Sequence, residues 1–167
     1  MTRRHVHYEQ AFEHYLRANR VPYIAVDEAR KTLLPVDAEL DALKSFDFLV
    51  NAPHRQLLID VKGRRYAGGR RFESWVTRDD VESLAAWEHL FGEGFESVFV
   101  FIYSLDEQPP DALFEAIFAF RDHWYALREV SMTAYRTHMK PRSERWSTVD
   151  VPAADFSRIS RPLDLRR

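Results

Sequence analysis

Residues 46–65 read FDFLVNAPHRQLLIDVKGRR, and their pairing decides the fold. Two apolar runs flank Pro53-His54, so the stretch predicts a β-hairpin with strands at 46–52 and 55–63. A two-residue turn sets Phe46 opposite Val61, Phe48 opposite Ile59 and Val50 opposite Leu57. Side chains alternate along a strand, so those six apolar residues share one sheet face. The other face then carries Asp47 opposite Asp60, Leu49 opposite Leu58, and Lys62 two positions beyond Asp60.

This register sets two carboxylates side by side. Directly opposed Cβ atoms lie ~5 Å apart. At an effective dielectric of ~20, two full charges at that distance repel by roughly 3 kcal/mol. Strand propensities span only ~1 kcal/mol and cannot offset it. A metal cation, a shared proton or Lys62 can. Two acidic oxygens with a backbone carbonyl form a hard-oxygen site suited to Mg²⁺, and a neighbouring lysine supplies a compact positive charge.

Outward from the hairpin, Tyr8, Phe12, Tyr15 and Leu16 recur at helical spacing and predict a helix over 5–20, stopped by Pro22. Glu9 lies at the edge of that stripe and faces the sheet better than Glu13. Residues 23–28 predict a short strand and 29–45 a loop. Thr77 is an N-cap residue followed by Asp79 and Asp80, and Val81, Leu84, Trp87, Leu90 and Phe91 form the helical stripe that Gly92 ends. The apolar run 97–105 predicts a strand buried on both faces. A strand, a helix and a buried strand in succession predict a parallel crossover. Beyond a 108–112 linker, 114–120 and 124–130 predict a second hairpin, with short helices at 133–140 and 153–160 and a strand at 147–151.

The succession of a helix carrying a glutamate, FD, a hairpin, DVK, a helix and a buried strand resembles the PD-(D/E)xK nuclease superfamily over residues 5–105. Asp47 matches the motif's first aspartate, Asp60 its second acid, Lys62 its lysine and Glu9 its helix glutamate. Phe46 stands where the motif has proline. The resemblance implies an α/β restriction-endonuclease-like αβββαβ core with a mixed sheet. A β-rich C-terminal appendage at 106–167 would complete a single domain spanning 1–167. It also implies Mg²⁺, with Mn²⁺ as substitute, held by Asp47, Asp60, Glu9 and the Val61 carbonyl. Lys62 would help activate water. The implied activity is metal-dependent endonuclease hydrolysis of DNA phosphodiester bonds. The alternative is a catalytically inactive nuclease-fold protein that binds nucleic acid or a partner protein.

The basic segments are read with the same partner in view. Arg64, Arg65, Arg70 and Arg71 follow the DVK motif and would grip phosphates, with Gly63, Gly68 and Gly69 allowing close approach. A second cluster is Arg136, His138, Lys140, Arg142 and Arg145 beside Trp146, an alternation suited to phosphates and unstacked bases. A third is Arg158, Arg161, Arg166 and Arg167. The tryptophans (75, 87, 124 and 146) are expected in the core or covering it. DNA is the expected partner and RNA the alternative polymer. Cutting both strands of a duplex often calls for two active sites, which a homodimer would supply.

Composition bounds the rest. At 167 residues with 46% hydrophobic residues the chain is long enough for a core, and a net charge of −2 leaves polyanion binding to local clusters. With no cysteine, disulfides, thiolate zinc sites and cysteine nucleophiles are excluded. No apolar run spans a membrane, no signal segment opens the chain, and the cytoplasm is the expected compartment. No G-x-S-x-G elbow and no phosphate-binding G-x-x-x-x-G-K-[ST] is present.

Overall fold

The structure, a computed structural model, describes residues 3–26, 43–66, 72–106 and 116–166. The expectations for 29–42, for Gly68, Gly69, Arg70 and Arg71, for the 108–112 linker and for Arg167 fall outside the described residues.

The first helix, α1 (Arg3–Ala18), buries Ala11, Phe12 and Leu16. Strand β1 (Tyr23–Ala25) pairs antiparallel with β2 (Phe48–Ala52), and β2 with β3 (Arg55–Tyr66). Phe48↔Ile59, Leu49↔Leu58 and Val50↔Leu57 are partners, the register the two-residue turn requires. The short β4 (Val76–Thr77) leads into α2 (Arg78–Phe91), capped by Thr77 and ended by Gly92 at φ 85°. Strand β5 (Phe95–Leu105) then lies parallel to β3, so the crossover forms.

The β-rich C-terminal segment is built onto this core. Strands β6 (Ile117–Phe120) and β7 (His123–Ser131) form the second hairpin, and β7 pairs antiparallel with β5. After α3 (Met132–His138) come β8 (Lys140–Ser143), β9 (Thr148–Asp150), α4 (Ala153–Ile159) and β10 (Arg161–Pro162). Among the described residues, the mixed main sheet has the order β1-β2-β3-β5-β7-β10, with β6 also on β7. A second sheet runs β4-β9-β8.

Apolar layers cover both faces. On one, α1 packs over Phe48, Val50, Leu57, Ile59 and Val61. On the other, Val81 and Leu84 of α2, Tyr135 and Phe156 pack over Leu58, Phe99, Phe101 and Tyr103. Phe46 departs from the sequence expectation: it joins the second layer, against Trp87 and Phe91 with ring centroids 5.6 and 5.8 Å away. Strand pairing stops at Phe48 and the chain bends at Asp47, which breaks the alternation that put Phe46 with Phe48.

Strand β3 also runs farther than 55–63. Tyr103, Ser104 and Leu105 of β5 continue the ladder to Tyr66, so Gly63, Arg64 and Arg65 lie in a strand and not in a loop. A Cβ at Gly63 would meet the Tyr8 ring at 2.1 Å. The glycine serves the close seating of α1 on β3, not an approach to phosphate.

Candidate active site

The bend before β2 anchors Asp47 against β3. Its N–H donates to the Ile59 carbonyl at 2.9 Å, and its carboxyl accepts the Val61 N–H at 2.7 Å. A side chain thus takes over where the ladder ends. Asp60 projects toward α2, alternate to Ile59 and Val61, and is buried at 8% exposure. The Asp47 and Asp60 carboxyls lie within hydrogen-bonding reach of each other.

The electrostatics of this pair follow from its seating. Burial, then the charges of Asp60 and Glu9, push the Asp47 carboxyl well above the usual carboxylate range. Burial also raises Asp60, with Lys62 working against it. Glu9 reaches the same field from α1: burial raises its carboxyl, Asp60 adds to the rise and Lys62 opposes it. The sequence placed these four residues together, and the structure brings them within one electrostatic neighbourhood.

Lys62 is the hub of the opposite charge. Its Nζ lies 3.0 Å from Asp60 Oδ2 and 3.2 Å from Asp80 Oδ2. Burial works to lower the lysine, but the two carboxylates outweigh it and the net displacement is upward. Lys62 is a held ammonium. Asp80 was absent from the sequence-derived site, where it figures only as an acid in the first turn of a helix. Here it does both jobs. Oδ2 accepts the Thr77 N–H at 3.0 Å to complete a capping box, and Oδ1 pairs with Lys44 at 3.0 Å. The available signal was the T-x-x-D spacing at the end of a crossover that starts on β3: it returns the N-terminus of α2 to the strand carrying DVK.

The donor set is chemically suited to a hard divalent cation: carboxylates at Asp47, Asp60 and Glu9, and the carbonyl of Val61. The carboxyls of all three acids are raised, so a cation among them would be favoured. In this geometry the contact closes on the Asp47–Asp60 pair. Among the described residues, no three His, Cys, Asp or Glu groups are spaced to hold a metal ion.

The arginines divide. Arg64, expected on a phosphate-gripping loop, is 7% exposed and turned inward. It donates to the carbonyls of Gly63 and Trp75, and its guanidinium lies 3.9 Å from the Trp75 ring centroid. Its place on the α2 face of β3, under the 72–77 segment, explains the burial. Arg65 points to the opposite face, is exposed, and pairs with Asp106 at 3.1 Å. The third cluster turns to its own chain: Arg158 pairs with Asp155 at 2.7 Å, Arg161 with Glu129 at 2.5 Å, and Arg166 donates to Asn19 at 2.9 Å. Trp87 covers the core and donates to the Lys44 carbonyl at 2.7 Å, but Trp146 is 67% exposed.

No protein-family model matches the sequence, and no curated protein matches it. Among solved structures, the chain is similar to Hjc of Archaeoglobus fulgidus, a Holliday junction resolvase from an archaeal hyperthermophile. The TM-score is 0.53 over 91% of each chain, at 15% identity. Likeness at that identity speaks for the fold, with the αβββαβ order and mixed sheet described above. The chain has the restriction-endonuclease-like fold, the fold of the PD-(D/E)xK nucleases that its FD…DVK pattern resembles.

Proposed function

We propose that the protein is a Mg²⁺-dependent nuclease that hydrolyses DNA phosphodiester bonds. The observation that carries the reading is the convergence of half-buried Asp47 and Glu9 and buried Asp60 with Lys62, whose Nζ lies 3.0 Å from Asp60, in this fold. Asp47, Asp60, Glu9 and the Val61 carbonyl would hold Mg²⁺ or Mn²⁺. The bound cation would acidify a water and neutralise phosphate charge. Lys62, kept protonated by Asp60 and Asp80, stabilises the negative charge that builds on the phosphate oxygens and orients the attacking water. Asp80 and Lys44 position that ammonium. Arg65, with Arg70 and Arg71, contacts flanking phosphates. Hjc, as a Holliday junction resolvase, supports DNA as the polymer, and a homodimer would supply one site per strand. RNA is the competing substrate in the test.

A second reading has one observation in its favour. Lys62 already neutralises Asp60 at 3.0 Å, which lets the acids persist in a protein that binds nucleic acid or a partner without cutting. One experiment separates the two: a panel of labelled DNA and RNA structures incubated with Mg²⁺ or Mn²⁺, using wild type, Asp60→Ala and Lys62→Ala. The nuclease reading expects metal-dependent cutting that both substitutions abolish. Binding without cutting by wild type transfers the case to the second reading.

A further inference from the structure

The β8–β9 hairpin presents an unusual surface. Trp146 at its tip is 67% exposed, whereas Phe46 is buried and Trp87 is half-buried against it. Burying an indole is worth several kcal/mol in a core, so a fully formed turn that holds one in water invites a ligand. The turn is built for this. Ser147 sits at φ 49°, a left-handed conformation that costs an L-residue ~1–2 kcal/mol. Its N–H donates to the Glu144 carbonyl at 3.1 Å, and the Trp146 N–H donates to Ser143 Oγ at 3.4 Å.

Charge distinguishes the tip further. Some exposed arginines find carboxylates, as Arg17 does with Glu13 and Arg65 with Asp106, and others donate to amides, as Arg121 does to Gln10 and Arg166 to Asn19. Among the described residues, Arg142 and Arg145 make no ion pair, although Glu144 lies between them in sequence. Arg145 is 5.1 Å from the Trp146 ring, and Arg142 is 5.2 Å from the Trp75 ring, whose other contact is Arg64. Two cations lying over aromatic rings, one of them the exposed Trp146 indole itself, make a surface with affinity for a polyanion carrying flat rings.

Its placement is tied to the site. Thr148 pairs with Thr77, the cap of α2, and the Ser147 carbonyl accepts the Arg78 N–H at 2.9 Å. Arg78 lies two residues before Asp80, which holds Lys62 at 3.2 Å. A short, hydrogen-bonded path therefore fixes the hairpin tip relative to the catalytic lysine.

We infer that the β8–β9 tip is a nucleic-acid contact in which Trp146 stacks on an unpaired base and Arg142 and Arg145 bind the adjoining phosphates, selecting DNA that has unpaired bases next to the cleavage position. The inference rests on the nuclease-fold reading of the site and adds its substrate class.

The test is fluorescence anisotropy with the full chain in EDTA, so that no probe is cut. Three labelled probes of equal length are used: a blunt duplex, a splayed fork and a single strand. Trp146→Ala should weaken fork and single-strand binding roughly 5- to 150-fold, with duplex affinity unchanged within about twofold. Trp146→Phe should retain most of the affinity. Replacing Arg142 and Arg145 by Gln should lower the slope of log K against log salt by about 2 on every probe. Melting curves confirm that each variant folds. Equal fork affinity in Trp146→Ala and wild type overturns the inference, as does an equal loss on duplex and fork. So does a dimer-to-monomer change in Trp146→Ala with DNA affinity intact, which would assign the tip to a second copy of the chain. The nuclease reading is judged separately, by cutting in Mg²⁺. Loss of cutting in Asp60→Ala with unchanged Trp146→Ala binding sinks only the inference. Fork binding that needs Trp146, without any cutting by wild type, sinks only the nuclease.

Discussion

Replacing Asp47 by Asn should make the metal-free protein more stable while removing its response to Mg²⁺. Asp47 and Asp60 lie within hydrogen-bonding reach of each other. Two full charges at ~4 Å interact by about 4 kcal/mol at an effective dielectric of 20. Lys62 at 3.0 Å from Asp60 cancels a large part, and about half, about 2 kcal/mol, is the expected relief. Asparagine keeps the shape: Oδ1 still accepts the Val61 N–H, and Nδ2 is placed to donate to Asp60. Because the folded state raises the Asp47 pKa, the native protein binds more protons than the unfolded one, and its stability falls as pH rises from the ordinary aspartate range through the raised value. The gain from Asn should therefore be absent at acidic pH and reach its full size above the raised pKa. For a chain of this length about 2 kcal/mol corresponds to a Tm increase of ~4–8 °C. Calorimetry of both proteins in EDTA across pH, then with Mg²⁺, reads every part of this. Wild type should gain Tm with Mg²⁺ by mass action, and Asp47→Asn should not. A variant no more stable than wild type at pH 8 without metal would refute the repulsion argument.

Three further outcomes follow from other parts of the molecule. Gly63→Ala should cost ~1–3 kcal/mol in urea unfolding, since its Cβ would lie 2.1 Å from the Tyr8 ring. It should also depress any cleavage by shifting α1 and Glu9, and a neutral effect on both would contradict the close packing. Glu129→Gln should cost about 3 kcal/mol, because a nearly inaccessible carboxylate 3.0 Å from Arg55 and 2.5 Å from Arg161 loses its charge, while Arg55 keeps the partly exposed Glu96 carboxylate and the Asp164 carbonyl. A loss below ~1 kcal/mol would show the network to be dispensable. Burial alone would raise the Asp80 carboxyl, but Lys62, the Thr77 N–H and Lys44 outweigh it and hold it at about 2. Its contribution of about 2 kcal/mol is complete above the unfolded pKa and is lost as pH falls from ~4 through 2. The wild-type advantage over Asp80→Asn should shrink over that interval, and a constant difference would count against the ion pairing.

Residues 46–65 show how much of this was legible in the chain. A strand has a side-chain period of two and a two-residue turn allows one register, so Arg55 to Ile59 find their partners and faces from local pattern alone. The helical spacing of Tyr8, Phe12 and Leu16 oriented α1 and with it Glu9, and Thr77 with Gly92 bounded α2. Arg64 shows where the pattern stops. It reads like Arg65, yet one is buried under Trp75 and the other is exposed. Periodicity assigns them to opposite faces only once β3 is known to continue through Tyr66, and that continuation belongs to its partner β5.

By itself the sequence determined the hairpin register and the crossover, because each follows from neighbours within a few residues or from a turn of fixed length. Only the tertiary structure decided that Asp80 completes the grip on Lys62, that Phe46 crosses the sheet, that Gly63 seats α1 and that Trp146 stands in solvent. Those outcomes depend on which surface a distant element covers, and burial, close contact and Coulomb energy are functions of position in space and not of separation along the chain.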